Sequence, residues 1–181
     1  MEDTVSEIKV FSVGWAQQGA PYWRRHRDRV HQDGGLADRL HVRLASLGPV
    51  DLWIDCSFFS DHAAQGHVGT HTAMVAAVTD HWKFRDWIKG VKDELDVVSK
   101  FSSKRTAIAV VVCTSGVNRS PAGALVLKNV FEKLGYSSSV THISKGSWSE
   151  RNLCQMCKKC NVDDPDKEFL YDKAFKIWNK V

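Results

Sequence analysis

The sequence holds no apolar run near the roughly 20 residues that a membrane-spanning helix needs, so no membrane partner is expected. Its opening stretch, MEDTVSEIKV, carries acids and no apolar signal core, so no secretory peptide is expected either. There is little excess of either charge. The 25 Lys and Arg residues against 21 Asp and Glu leave +4, which permits an anionic ligand without demanding one. No internal repeat or low-complexity tract occurs, and no G-x4-G-K-[ST] motif, so ATP turnover is not implied. The cysteines do not form an even set. Five of them, Cys56, Cys113, Cys154, Cys157 and Cys160, argue against a disulfide scaffold and for free thiols in a reducing, cytoplasmic setting.

What is present fits one globular domain. A chain of 181 residues has room for one full core, and 43% hydrophobic with 25% charged residues argues against wholesale disorder. Apolar runs at 8–14 (IKVFSVG), 50–56 (VDLWIDC) and 106–113 (TAIAVVVC) read as strands, the last as a central strand buried on both faces. A further strand is expected at 138–143. Residues 16–35 read as a long irregular connection, and Leu36, Leu40, Leu44 and Leu47 predict a helix over 36–47, stopped by Gly48 and Pro49. A His-rich loop follows Cys56, and from there to residue 100 the pattern is helical, with Phe84, Trp87, Ile88, Val91, Leu95 and Val98 on one face. Pro121 and Gly135 bracket another helix. Asp164 and Pro165 start a last one, running over 164–181 behind a Cys-rich segment at 144–163. Alternating strands and helices predict a single α/β domain over 1–181, a three-layer sandwich with a largely parallel sheet.

The chemistry concentrates in VVVCTSGVNRSPAG. A buried strand ends at Cys113, small and flexible residues follow from Thr114 to Asn118, and a helix begins near Arg119 and Ser120. Ligand crevices in open α/β sheets lie at the carboxyl ends of strands. Loop amides there point inward, and the helix N-terminus adds about half a positive charge. Gly116 lets the backbone approach a ligand, and Arg119 offers a planar fork to two oxygens. Residues Thr114, Ser115, Gly116, Val117, Asn118, Arg119 and Ser120 therefore form a candidate phosphate cradle. A thiol facing the same positive field is favoured as thiolate, which makes Cys113 either a nucleophile or a group tuned by the site it borders. The alternative is a small core residue at a strand end and a surface arginine.

The loop resembles two families. Cysteine-dependent phosphatases carry C-x2-G-x2-R-[ST], which Cys113, Gly116, Arg119 and Ser120 match, with Val112 where those enzymes mostly have His. The resemblance implies Cys113 as nucleophile, Arg119 as phosphate clamp and an acidic proton donor. Asp80 and Asp164 are the candidates. Over residues 8–145 the order of parts is similar to the C-terminal domain of the RapZ proteins, whose loop reads C-T-G-G-x-H-R-S. Cys113, Thr114, Gly116, Arg119 and Ser120 match it; Ser115 and Asn118 depart. Asp55 and Phe58 match that family's F-D-V-R-F strand end, with Ser57 in place of its arginine. This resemblance implies binding of a phosphorylated small molecule, phosphosugar-like, or of RNA phosphate, in a sensing or adaptor role, with Asp55 and, more loosely, His62 beside the loop.

Two more features stand out. Cys154, Cys157 and Cys160 repeat a C-x2-C spacing that suits zinc, a metal that wants four ligands. His142, at the end of the preceding strand, is the expected fourth. Three reduced thiols, or a redox pair of Cys154 with Cys157, are the other readings. His62, His67, His71 and His81 cluster in and after one loop, as metal ligands or as exposed polar and capping residues. YWRRHRDR (22–29) sets aromatics beside four arginines, either as a solvated basic loop or as a stretch that lies on nucleic-acid phosphates.

Overall fold

The computed structural model describes residues 5–14, 44–59 and 62–181. β-Branched and small apolar residues make Thr106–Cys113 a strand with no wet face, and it takes an inner place in the sheet. Four strands, β1 (Glu7–Gly14), β2 (Leu52–Asp55), β3 (Thr106–Cys113) and β4 (Ser137–His142), run parallel in the order β2-β3-β1-β4. The register pairs Gly14 with Cys113, Asp55 with Val112 and Ser12 with His142. Gly14, Asp55, Cys113 and His142 therefore finish at one edge of the sheet, and the functional loop springs from that edge.

Period-two burial separates two apolar clusters. Ile8, Val10, Leu52, Ile54, Ala107, Ala109 and Val111 face the larger core with the helices α1 (Thr72–Thr79), α2 (Phe84–Phe101), α3 (Arg119–Lys133) and α5 (Asp166–Trp178). Phe11, Val13, Val110 and Val112 face the other way, against Leu44, Leu47 and Val50. A short helix, α4 (Gly146–Glu150), follows β4. The architecture is the α/β sandwich expected from the alternation of elements, with a sheet that is parallel throughout. No described helix is long and apolar enough to cross a membrane.

The continuous helical stretch expected up to residue 100 is two helices. Asp80–Lys83 form a turn, in which the Lys83 N–H donates to His81 Nδ1 at 3.2 Å and holds the chain out of helical geometry. Of the helix expected at 36–47, only Leu44 and the 3-10 turn Ala45–Leu47 fall among the described residues. The basic stretch 22–29 lies outside them.

Candidate functional site

The 113–119 loop is shaped from outside. Gly116 sits at φ +68°, where a side chain is strained, and this turns the chain back over the end of β1. The Trp148 indole N–H donates to the Gly116 carbonyl at 3.2 Å, and the Gly69 N–H donates to the Val117 carbonyl at 2.7 Å. Those two carbonyls are thus held by donors from outside the loop, while within it the Val117 N–H donates to Ser115 Oγ at 3.4 Å, just ahead of the positive end of α3.

Inside the loop, Cys113 is fully buried. Its Sγ accepts the Gly116 N–H at 3.2 Å and lies 3.1 Å from Ser120 Oγ, which is itself 3.1 Å from the Val13 carbonyl. A serine has one hydroxyl hydrogen. When it points to Val13, the Cys113 thiol donates to Ser120. The Arg119 guanidinium donates to the Ser57 carbonyl, while the Asp55 carboxylate accepts the Ser57 N–H at 2.7 Å. Ser57 thus joins the two, and its own hydroxyl is buried without a protein partner. Cys56 sits among them: burial pushes its thiol well up, Cys113 and Asp55 push it further, and Arg119 opposes. Asp55, Cys113 and Arg119 are therefore near neighbours, as expected.

Other expected residues stand elsewhere. Asp80 ends α1 and pairs with Lys173. Helix α1 begins beside the loop, so Asp80 is about 12 Å further along its axis. Asp164 accepts Thr72 Oγ1 at 2.5 Å and the Asp166 N–H at 3.4 Å, which hold its carboxyl below the ordinary range. It is an ionised cap of α5 and has no proton to give at neutral pH. His62 is exposed, at the start of the 3-10 turn His62–Ala64. His71 caps α1, its Nδ1 accepting the Ala73 N–H at 3.1 Å.

His142 is not a partner of the cysteines. Its Nδ1 lies 2.7 Å from Ser12 Oγ, its ring packs 5.2 Å from Trp148, and its Nε2 is buried without a protein partner. Desolvation, and then Lys145, lower its pKa from 6.5 to about 4. The unfolded chain therefore binds more protons between those values, and stability falls as pH drops through that window. In metal-free protein we expect this group to remove about 2 kcal/mol of unfolding free energy between about pH 7.5 and pH 5. Urea titrations of wild type and His142→Gln check it: equal pH slopes in the two proteins would exclude the effect.

The fourth member of the cysteine group is His67. One ligand atom from each of His67, Cys154, Cys157 and Cys160 lies within 4.8 Å of all the others, an arrangement able to hold a metal ion. His67 Nδ1 is 3.4 Å from Cys160 Sγ and 3.7 Å from Cys157 Sγ. A parallel bridge brings the segments together: the Val68 N–H donates to the Cys154 carbonyl at 3.3 Å and the Cys154 N–H to the Gly66 carbonyl at 2.9 Å. The Lys167 ammonium, on a fully buried residue, donates to the Lys159 carbonyl at 3.0 Å and to that of Asn161. Crowding has a cost: desolvation, then the hydrogen bond and charge of Cys157, push the Cys160 thiol up to about 12. Sequence reasoning named His67 only as one of four loop histidines. The local signal was its place between Gly66 and Gly69, ahead of a helix.

No protein-family model matches the chain, and no curated protein matches it.

Proposed function

We propose that the 113–120 loop binds the phosphate group of a phosphorylated small molecule, and that the protein senses or presents that ligand rather than turning it over. The observation that supports this is the tight loop between β3 and α3: Gly116 at φ +68°, with its carbonyl and that of Val117 held by Trp148 and Gly69, leads from the carboxyl end of a central strand into the head of a helix that begins at Arg119. Asp55 and Ser57 supply polar groups at the rim for the rest of a sugar-like ligand. RNA offers the same phosphate chemistry, so calorimetry with inorganic phosphate, a hexose phosphate and a short RNA separates the sources. Tightest binding to the hexose phosphate is expected.

A second reading, a cysteine-dependent phosphatase, draws on the contact between Cys113 Sγ and Ser120 Oγ. Against it stand the buried thiol and the engagement of Asp80 and Asp164 elsewhere. We expect no hydrolysis of an aryl phosphate by wild type above that of Cys113→Ser. Turnover abolished in the serine variant would promote the enzyme.

The His67, Cys154, Cys157 and Cys160 group fits zinc. Tetrahedral ligands at Zn–S of about 2.3 Å and Zn–N of about 2.0 Å put sulfur and nitrogen roughly 3.5 Å apart, close to the 3.4 and 3.7 Å separations of the sulfurs from His67 Nδ1. Three thiolates and one Zn²⁺ leave one negative charge, which the buried Lys167 ammonium balances. The ion's role is structural, since all four positions are filled by protein.

A further inference from the structure

We propose that the metal centre and the phosphate loop are linked, so that zinc at the centre raises the affinity of the loop for phosphate and phosphate raises the affinity of the centre for zinc. This rests on both readings above and adds a coupling to them. The link is short. His67 offers Nδ1 to the cysteines, and two residues on, Gly69 donates to the Val117 carbonyl. The Gly69 backbone presses so closely on the loop that an added Cβ would lie 1.9 Å from the Asn118 carbonyl oxygen. Val68, Val117, Trp148 and Cys160 form one buried apolar cluster, with Leu153, Cys154 and Cys157 packed against it. The two outside donors that aim the loop, Gly69 N–H and the Trp148 indole, therefore belong to the segments that the metal centre gathers.

Apart from the bridge to Gly66 and Val68 and the hydrogen bonds of Thr70 and Lys167 to its carbonyls, the segment carrying the cysteines has few apolar side chains to order it. Met156, between two of them, is 96% exposed, and the neighbouring side chains Gln155, Lys158 and Lys159 are polar. Without the ion, three thiols and an imidazole crowd together with nothing to reward the crowding. Relaxation there releases the 66–70 backbone, and with it the hold on the Val117 carbonyl. An anion must then pay the cost of ordering the loop, a cost already met when the ion is bound. Linkage makes the effect reciprocal: one factor governs both ligands.

The experiment measures binding of inorganic phosphate by calorimetry to zinc-loaded, chelator-stripped and zinc-reconstituted full-length protein, with far-UV circular dichroism on each. Stripping is expected to weaken phosphate about 5- to 150-fold, and one equivalent of zinc to restore it. Saturating phosphate should tighten zinc by the same factor in a competition with a chromogenic chelator. Gly69→Ala keeps all four ligand side chains but breaks the link, so it should still hold one equivalent of zinc while losing phosphate affinity. This variant carries the test if the stripped protein unfolds. Equal phosphate affinity with and without zinc in folded protein, or unchanged phosphate affinity in zinc-loaded Gly69→Ala, overturns the coupling and leaves both sites standing. No phosphate binding by loaded protein overturns the coupling together with the anion site, and no zinc in protein purified without chelator overturns it together with the metal centre.

Discussion

Cys160→Ser protein is expected to retain less than about a tenth of an equivalent of zinc and to melt well below wild type, because structural zinc contributes apparent binding free energies of about 10–16 kcal/mol. Cys160 is the most buried of the three clustered cysteines, and its carbonyl also accepts the Thr70 hydroxyl at 2.8 Å. A hydroxyl in place of its sulfur keeps the volume and removes the soft ligand. Part of the loss falls on the 144–163 segment alone, since the core around β3 and α3 forms from apolar contacts without the ion. Elemental analysis and a thermal melt in parallel check the prediction, and a full equivalent in the variant contradicts it. Acid should have the same sign. A thiol raised to about 12 is protonated in the metal-free protein at neutral pH, so zinc must displace its proton. Apparent zinc affinity then falls as pH drops, about tenfold per unit for each proton displaced.

The second large effect is expected at the loop. Arg119→Lys should weaken inorganic phosphate at least about tenfold. The Arg119 guanidinium donates to the Ser57 carbonyl, which fixes its plane at the head of α3, and a guanidinium carries five N–H donors in one planar fork. A lysine ammonium that reached Ser57 would keep the charge and lose the fork. Phosphate titration by calorimetry measures this directly. Unchanged affinity in Arg119→Lys would mean that the arginine serves only the turn at Ser57, and the amide cradle would stand without it.

Both expectations start from motifs that are local in sequence, and that locality explains what could be read early. The run TAIAVVVC reads as a buried strand from its β-branched and small apolar residues, and the segment from Gly116 to Pro121 as a loop entering a helix; both stand where expected. Cys154, Cys157 and Cys160 announced a cluster for the same reason. His67 did not, because it reaches the cysteines through a parallel bridge between segments far apart in the chain, and no spacing rule records that. His142 looked nearer in sequence, yet the parallel register of β4 with β1 points it at Ser12. The proton donors misled similarly. Asp80 and Asp164 had suitable spacing, but one meets Lys173 across the helical layer and the other caps α5. The turn at Asp80–Lys83 was hidden because no glycine or proline marks it.

The place of β1 carries a consequence for how the chain comes together. Its residues 7–14 lie between β3 and β4, paired with 106–113 on one side and, through residues 7–12, with 137–142 on the other. Strands this far apart cannot zip up as a hairpin, and each pairing closes a loop of about a hundred residues, which makes sheet assembly slow relative to local helix formation. During synthesis the apolar stretch IKVFSV is made early and waits unpaired until β3 has emerged. Segment-resolved hydrogen-exchange labelling during refolding should therefore find α2 protected before β1. Until β3 is available, β1 is an apolar segment without its sheet partners and open to aggregation.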